Sequence, residues 1–259
     1  LACLLDGNKM AHRVFQIGVL LALGAAMLAT TAAQPQSRKS LTQEAFAFPA
    51  LDQVRVVLFR PDVTVSEQTT GGLDQPNAGW TEEAREQMTL ALGKAQAERN
   101  IELKLMPELS GENAKLMSDY RKLFKTVADS VIKHRLFALD PLPTKEEKFD
   151  WTLGPGAEKL GMLGGGDYGL FFYTFDSYES ASRRTARLIA SALGNDAPAE
   201  VNMGYAGLVD LKTGNLVWIN VDVKMGGDVR TAEGASLRIS ELLEGFPVRA
   251  GVRNGKATK

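Results

Sequence analysis

The chain is poor in the side chains on which most enzymes are built. In 259 residues it holds one cysteine, Cys3, and two histidines, His12 and His134. Cys3 and His12 fall inside an N-terminal segment that reads as a removable signal, so a processed chain keeps no thiol and one imidazole. Disulfides and thiolate metal ligands are thereby excluded, and a Cys–His pair or Ser–His–Asp triad has only His134 to draw on. His134 stands between Lys133 and Arg135 at a helix end, where a solvated side chain facing the helix dipole is the simpler reading. Neither HExxH nor paired-cysteine spacing occurs, which removes a His/Cys zinc site. No catalytic residue, metal ligand or cofactor is assigned from the sequence.

An excess of charge of one sign is also missing. Thirty Lys and Arg stand against 31 Asp and Glu, a formal net charge of -1 and a pI near 6.2. Residues 1–33 hold Lys9, Arg13 and Asp6, which leaves 28 basic and 30 acidic side chains beyond them. Nucleic acid and anionic lipid are therefore not expected as partners. Long apolar runs are limited to residues 14–28, about fifteen residues containing Gln16 and short of the roughly twenty that span a bilayer. Met10 to Arg13 before this run and the small residues 29–33 after it complete the three regions of a secretory signal. Cleavage is expected after Ala33, translation is expected to start at Met10, and residues 1–9 read as an upstream extension. The processed chain is then periplasmic or secreted, with no integral membrane span.

What is present describes an ordinary folded domain, 44% hydrophobic and 24% charged. Residues 34–50 read as a flexible tether, 51–247 as one α/β domain and 248–259 as a disordered tail. Residues 54–59 form a short β-branched run, stopped by Arg60-Pro61, that predicts a buried strand. Residues 63–80 contain Gly71-Gly72, Pro76 and Asn77 and read as a long loop. Thr81 is the expected cap of a helix whose inward face is Ala84, Met88, Ala91, Leu92 and Ala95. Residues 101–106 alternate as a strand with one wet face. A second helix from Ser110 carries the stripe Leu116, Tyr120, Leu123, Phe124, Val127 and Val131. Residues 137–153 read as an exposed connection that Phe149 and Trp151 pin at its end.

A short helix after Gly154-Pro155 leads into an apolar strand at 167–175 and then a helix over 177–193. That helix is expected to turn Thr185, Leu188, Ile189, Ala192 and Leu193 inward and Arg183, Arg184 and Arg187 outward. Residues 201–223 read as an antiparallel hairpin and 231–246 as a last helix with Ala235, Ile239, Leu242 and Leu243 inward. The expected fold class is α/β: a central mixed sheet of about five strands with a C-terminal antiparallel hairpin, flanked by about five helices.

The hairpin carries Asp210, Thr213, Gly214 and Trp218 in the spacing D-x-x-T-G-x-x-x-W. With the glycine-ended helix before Asp167-Tyr168, it resembles a group of secreted envelope modules. The group includes the penicillin-binding-protein activator LpoB, the periplasmic part of the curli secretion channel CsgG and the N-terminal domain of TolB. The resemblance covers residues 154–247 and implies a non-enzymatic module that works by contacting other proteins. The relatives' lipid anchor is not carried over, because no cysteine follows the signal here. The pore is not carried over either.

The expected function is that of an exported envelope protein, a subunit or regulator of an envelope complex, with an envelope protein or a second copy as partner. The loops 61–80 and 137–153 are its expected contact surfaces. Trp80, Trp151, Arg183, Arg184 and Arg187 are the candidate partner contacts, because aromatic and arginine side chains anchor interfaces. Each also has a bland reading, as a structural staple or a solvated face. Two alternatives stand beside this one. A periplasmic hydrolase of envelope polysaccharide could use two carboxylates across a cleft, and Lys224, Gly226, Gly227 and Arg230 could bind a small anion.

Overall fold

The structure is a computed structural model that describes residues 38–44, 46–49, 54–99, 103–145, 147–192 and 200–247. The expected signal, residues 1–33, and the expected tail, 248–259, lie outside the described residues. Among those described, thirteen strands and α-helices follow in order: β1 (Arg38–Thr42), β2 (Val56–Leu58), β3 (Asp62–Gln68), β4 (Asp74–Pro76), α1 (Ala78–Arg99), β5 (Leu103–Leu105), α2 (Gly111–Val131), α3 (Glu158–Gly164), β6 (Tyr168–Glu179), α4 (Ala181–Ala192), β7 (Val201–Asp210), β8 (Leu216–Asp222) and α5 (Ala232–Leu242). All eight strands join one mixed sheet, so the α/β class holds with three strands more than expected.

β6 is the axis of the sheet. β7 runs antiparallel along one edge of it, from Tyr168 opposite Asp210 to Ser177 opposite Val201, and β8 and then β1 extend that side. The other edge takes two parallel strands in series, β2 along the first part of β6 and β3 along the rest. β5 pairs with β2, and β4 turns back antiparallel on β3. Leu58 faces Leu170 but Asp62 faces Tyr173, so four steps through Pro61 match three along β6. A one-residue slip reverses which side chains face which layer. It lets Val56 and Leu58, then Val63 and Val65, all enter the same core.

The stretch read as a loop thus contains β3 and β4. Its alternation of buried Val63, Val65 and partly exposed neighbours is ordinary strand patterning. Asn77, not Thr81, caps α1, its Oδ1 accepting from the Trp80 N–H at 3.1 Å. The Thr81 hydroxyl accepts instead from the Val65 N–H at 3.0 Å, tying α1 to β3. Part of the expected tether is β1, and Phe48 beyond it packs edge-on against Tyr168 at 5.2 Å.

Helices cover both sheet faces. On the first, Ala84, Met88, Ala91, Leu92 and Ala95 of α1, the five residues picked out by spacing, meet Ala235, Ile239 and Leu242 of α5 over Leu170, Phe172, Leu208 and Trp218. On the second, Phe124 of α2 stacks on Phe171 at 4.4 Å, beside Leu160 of α3. The end of the exposed connection is pinned there by Phe149, Trp151 and Leu153. Residues 151–153 dock on the β7–β8 hairpin: the Leu153 N–H donates to the Gly214 carbonyl, and the Leu216 N–H to the Trp151 carbonyl, each at 2.8 Å.

Gly214 has φ 78°, and a Cβ there would stand 2.0 Å from the Gly154 carbonyl oxygen. Both the left-handed backbone and the close approach require glycine. Replacing Gly214 by Ala is expected to cost about 3 kcal/mol or more in urea unfolding. An unchanged midpoint would show that the hairpin does not press on residue 154.

Candidate functional site

Three places carry polar or apolar groups that could act on another molecule: the far end of β6 beneath α5, the outer side of α4, and a cleft at the start of β6.

At the far end of β6, alternation sends Asp176 towards the first face, under α5. Arg238 meets it as a fork, Nη2 to Oδ1 at 2.7 Å and Nη1 to Oδ2 at 3.0 Å, with both side chains fully excluded from solvent. Burial pushes the Asp176 carboxyl upward, against the opposing pull of Arg238. Next to the pair, the Tyr178 hydroxyl accepts from the Val229 N–H at 2.9 Å, and burial raises the phenol above its ordinary range. Arg230 lies over the rings of Trp80 and Tyr178, at 4.2 and 4.3 Å, and is gripped by Asp228 through bonds of 2.8 and 2.6 Å.

These contacts place the sequence-derived anion candidates. Lys224 and Gly227 are exposed and Gly226 is half-buried, while the Arg230 guanidinium and its backbone N–H both donate to Asp228. Trp80 serves as the platform under that arginine. Trp151, the other aromatic candidate, is buried on the second face beneath the Lys145 ammonium, 5.3 Å from its ring. Its pinning role is structural, and it offers no exposed ring to a partner.

Three residues after Asp176, Glu179 points to the opposite face and is itself buried. It draws in the arginines of α4: Arg187 Nε lies 2.6 Å from its carboxylate and Arg183 Nε 3.9 Å, and Arg183 also donates to Gln68 Oε1 at 2.5 Å. The expected orientation of α4 is therefore reversed. Arg183 and Arg187 lie against the body, while Ala181, Thr185, Leu188, Ile189 and Ala192 face outward, Leu188 and Ile189 each 60% exposed. Leu193 lies outside the described residues. Leaving the buried carboxylate unpaired would cost about 3–5 kcal/mol, somewhat more than the roughly 2–4 kcal/mol that burying the exposed 60% of both Leu188 and Ile189 would return. Arg184 alone of the three points away, 59% exposed and 3.9 Å from Glu200.

The cleft, of about 640 Å³, opens where β2 and β6 begin, between α3 and the β7–β8 hairpin. Its carboxylates are Glu158, Asp167 and Asp210. Arg55 binds Asp167 through its backbone N–H, Nε and Nη2 at 3.1–3.3 Å. The guanidinium holds that carboxyl below its usual range. Asp210 Oδ1 accepts the N–H groups of Lys212 and Thr213, at 2.9 and 3.3 Å, and so shapes the hairpin turn. His134 has its Nδ1 held against the Asp140 backbone carbonyl oxygen.

No protein-family model matches the chain, and no curated protein matches it significantly. Solved structures do resemble it. A PelC dodecamer from Paraburkholderia phytofirmans is 12% identical over 82% of this chain and 98% of that one, with a TM-score of 0.36. A lipoprotein from Neisseria meningitidis is 13% identical over 75% of this chain and 98% of that one, with a TM-score of 0.28. Likeness at this level fixes neither family nor function. Among the described residues no helix is long and apolar enough to cross a membrane.

Replacing Asp176 by Ala leaves the Arg238 charge buried without its partner and is expected to cost about 3–5 kcal/mol in urea unfolding. The double change Asp176→Leu with Arg238→Met should recover most of that loss. A double variant no better than Asp176→Ala would mean that the pair stabilises through more than mutual neutralisation.

Proposed function

We propose that this chain is an exported envelope protein that works by contact, as a subunit or regulator of an envelope assembly, rather than by catalysis. The observation that carries the reading is the outward apolar stripe of α4. Soluble chains bury such stripes, and a stripe held outward by paired arginines marks an interaction surface. The export part of the proposal rests on the signal-like residues 10–33.

The hydrolase reading draws less support. A general acid needs a carboxyl whose affinity for the proton is raised. Of the three carboxylates in the cleft, Asp167 is lowered by Arg55 and Asp210 is engaged in its own turn, which leaves Glu158 to serve where the mechanism needs a pair. The anion-binding reading loses its strongest donor to Asp228.

Expressed with residues 1–33 in place, the chain is expected in the envelope fraction, cut after Ala33, and migrating on a native gel above the size of one chain. Leu188→Glu should return it to the size of a single chain with its circular dichroism unchanged. Uncut protein in the cytosol would overturn the export reading. Glycan hydrolysis by the purified chain, lost in Asp210→Asn, would put the hydrolase first.

A further inference from the structure

We infer that the cleft at the start of β6 binds an uncharged oligosaccharide through its side chains, without cleaving it. The inference goes beyond the contact reading above and needs nothing from α4. Three observations select this class of ligand.

The first is charge. The cleft sets Glu158, Asp167 and Asp210 against Arg55 and Lys212. Asp167 and Arg55 neutralise each other as a fork, Nη2 to Oδ1 at 3.2 Å and Nε to Oδ2 at 3.3 Å. An anion entering here meets three carboxylates and a cation meets two basic side chains, whereas a neutral ligand meets no like charge. Among the described residues no group of three or more His, Cys, Asp or Glu is placed to hold a metal ion.

The second is where hydrogen-bonding capacity remains. The main chain around the cleft is bonded to itself: the Arg55 carbonyl accepts from the Asp167 and Tyr168 N–H groups, the Asp167 carbonyl from Leu211, and the Gly161 carbonyl from Gly165 and Gly166, at 2.7–3.2 Å. The Asp210 N–H and carbonyl are likewise bonded to Asn215 and Gly214. An extended peptide docks by adding main-chain bonds to an open strand, and here those groups are spent. Side chains are not. A carboxylate accepts about four hydrogen bonds. Asp167 receives its N–H groups from Arg55 alone, and Asp210 receives those of Lys212 and Thr213 on Oδ1. Both are thereby fixed in orientation with acceptor capacity left, which suits hydroxyl donors. The Arg55 guanidinium holds Asp167 below the usual carboxyl range, as befits an acceptor and not a general acid. Burial pushes the Tyr168 phenol up, so it keeps its proton and can donate.

The third is shape. About 640 Å³ lies within the roughly 300–1,000 Å³ of small-molecule sites. Between the polar groups stand Val54, Leu211, the Tyr168 ring and Met162, the last 70% exposed. Phe46 and Phe48 hold the Tyr168 ring edge-on at 5.8 and 5.2 Å. A sugar carries hydroxyl groups around its rim and C–H groups on its faces. Fixed acceptors interleaved with aromatic, aliphatic and thioether surface match both.

Calorimetric titration of the full chain with two uncharged probes, N-acetylchitotetraose and maltotetraose, tests the assignment. One or both are expected to bind with a Kd of about 0.1–1 mM and to be recovered uncut. Tetramers of galacturonate and of glucosamine, and tetra-alanine, should bind at least roughly tenfold more weakly. Arg55→Ala, which releases Asp167, and Asp210→Asn, which keeps the turn's Oδ1 acceptor, should each weaken the neutral sugar roughly tenfold with circular dichroism unchanged. Glu86→Ala on the exposed side of α1 should have no effect. If the cleft variants fail to fold, the wild-type chain labelled at its methionine methyls serves: the Met162 resonance, assigned with Met162→Leu, should shift on adding tetrasaccharide while that of buried Met88 stays. Neither neutral probe bound at about 10 mM, a charged tetramer or tetra-alanine bound as tightly, affinity unchanged in both cleft variants, or an unmoved Met162 methyl would overturn the inference. Recovery of shortened sugars would overturn it in favour of hydrolysis. Leu188→Glu should leave sugar affinity unchanged, so loss of the cleft's ligand and loss of the α4 contact are read separately.

Discussion

The ion pair between Asp176 and Arg238 is the constraint on which the first layer depends. Each charge alone would be untenable at a site with no solvent, and together they are acceptable only as an aligned fork. That requirement fixes where α5 crosses β6. Around it, the Tyr178 hydroxyl holds the Val229 N–H ahead of α5, and Asn220 of β8 donates to the Glu241 and Leu242 carbonyls at its end, at 2.7 and 3.1 Å. With α5 fastened at both ends, α1 packs beside it through Ala84, Met88, Ala91 and Ala95. Arg230, lying over Trp80, joins the entry of α1 to the same network.

The second layer has the complementary problem. The alternation that puts Asp176 under α5 puts Glu179 on the opposite face, where α2 and α3 cover the earlier part of the sheet. The nearest element in sequence, α4, supplies the compensating charges from Arg183 and Arg187. A helix has one polar and one apolar side, so satisfying Glu179 exposes Leu188 and Ile189. The inversion of α4 follows from one acidic residue near the end of a strand.

Much of this was legible in the sequence where a single rule governs a segment. The inward face of α1, the hairpin with Gly214, and the apolar run of β6 are set by local spacing and turn chemistry, and the structure agrees with them. Segments that depend on a distant partner were not. β1 exists because β8 offers it an edge, and β3 because β6 is long enough to take a second parallel strand beyond Pro61. Thr81 looked like a cap and is a tie to β3, which the sequence around it does not announce. α4 was assigned its orientation from its own amphipathicity, whereas Glu179 lies just outside the helix and decides it. A signal for the buried pair was present: Arg238 falls three residues after Ala235 and one before Ile239, on the stripe expected to be buried, and Asp176 continues an apolar strand. A charge on each of two buried tracks asks for a mate.

Along β6, carboxylates meet arginines of the same chain: Asp167 with Arg55 at its start, Asp176 with Arg238 beneath α5, Glu179 with Arg187 at its end. Acid–base chemistry needs a reachable group held out of balance with its surroundings. Here Asp176, the carboxyl that burial pushes upward, has no path to solvent, and Asp167, which faces the cleft, is pulled the other way. What is out of balance is surface. The stripe of α4 would gain roughly 25 cal/mol for each Å² of apolar area taken from water, and its own fold forbids it to turn inward without stranding Glu179. On the reading proposed above, the interaction energy available to this chain lies in that unburied area, and a partner can collect it without disturbing any of the internal pairs that hold α4 in place.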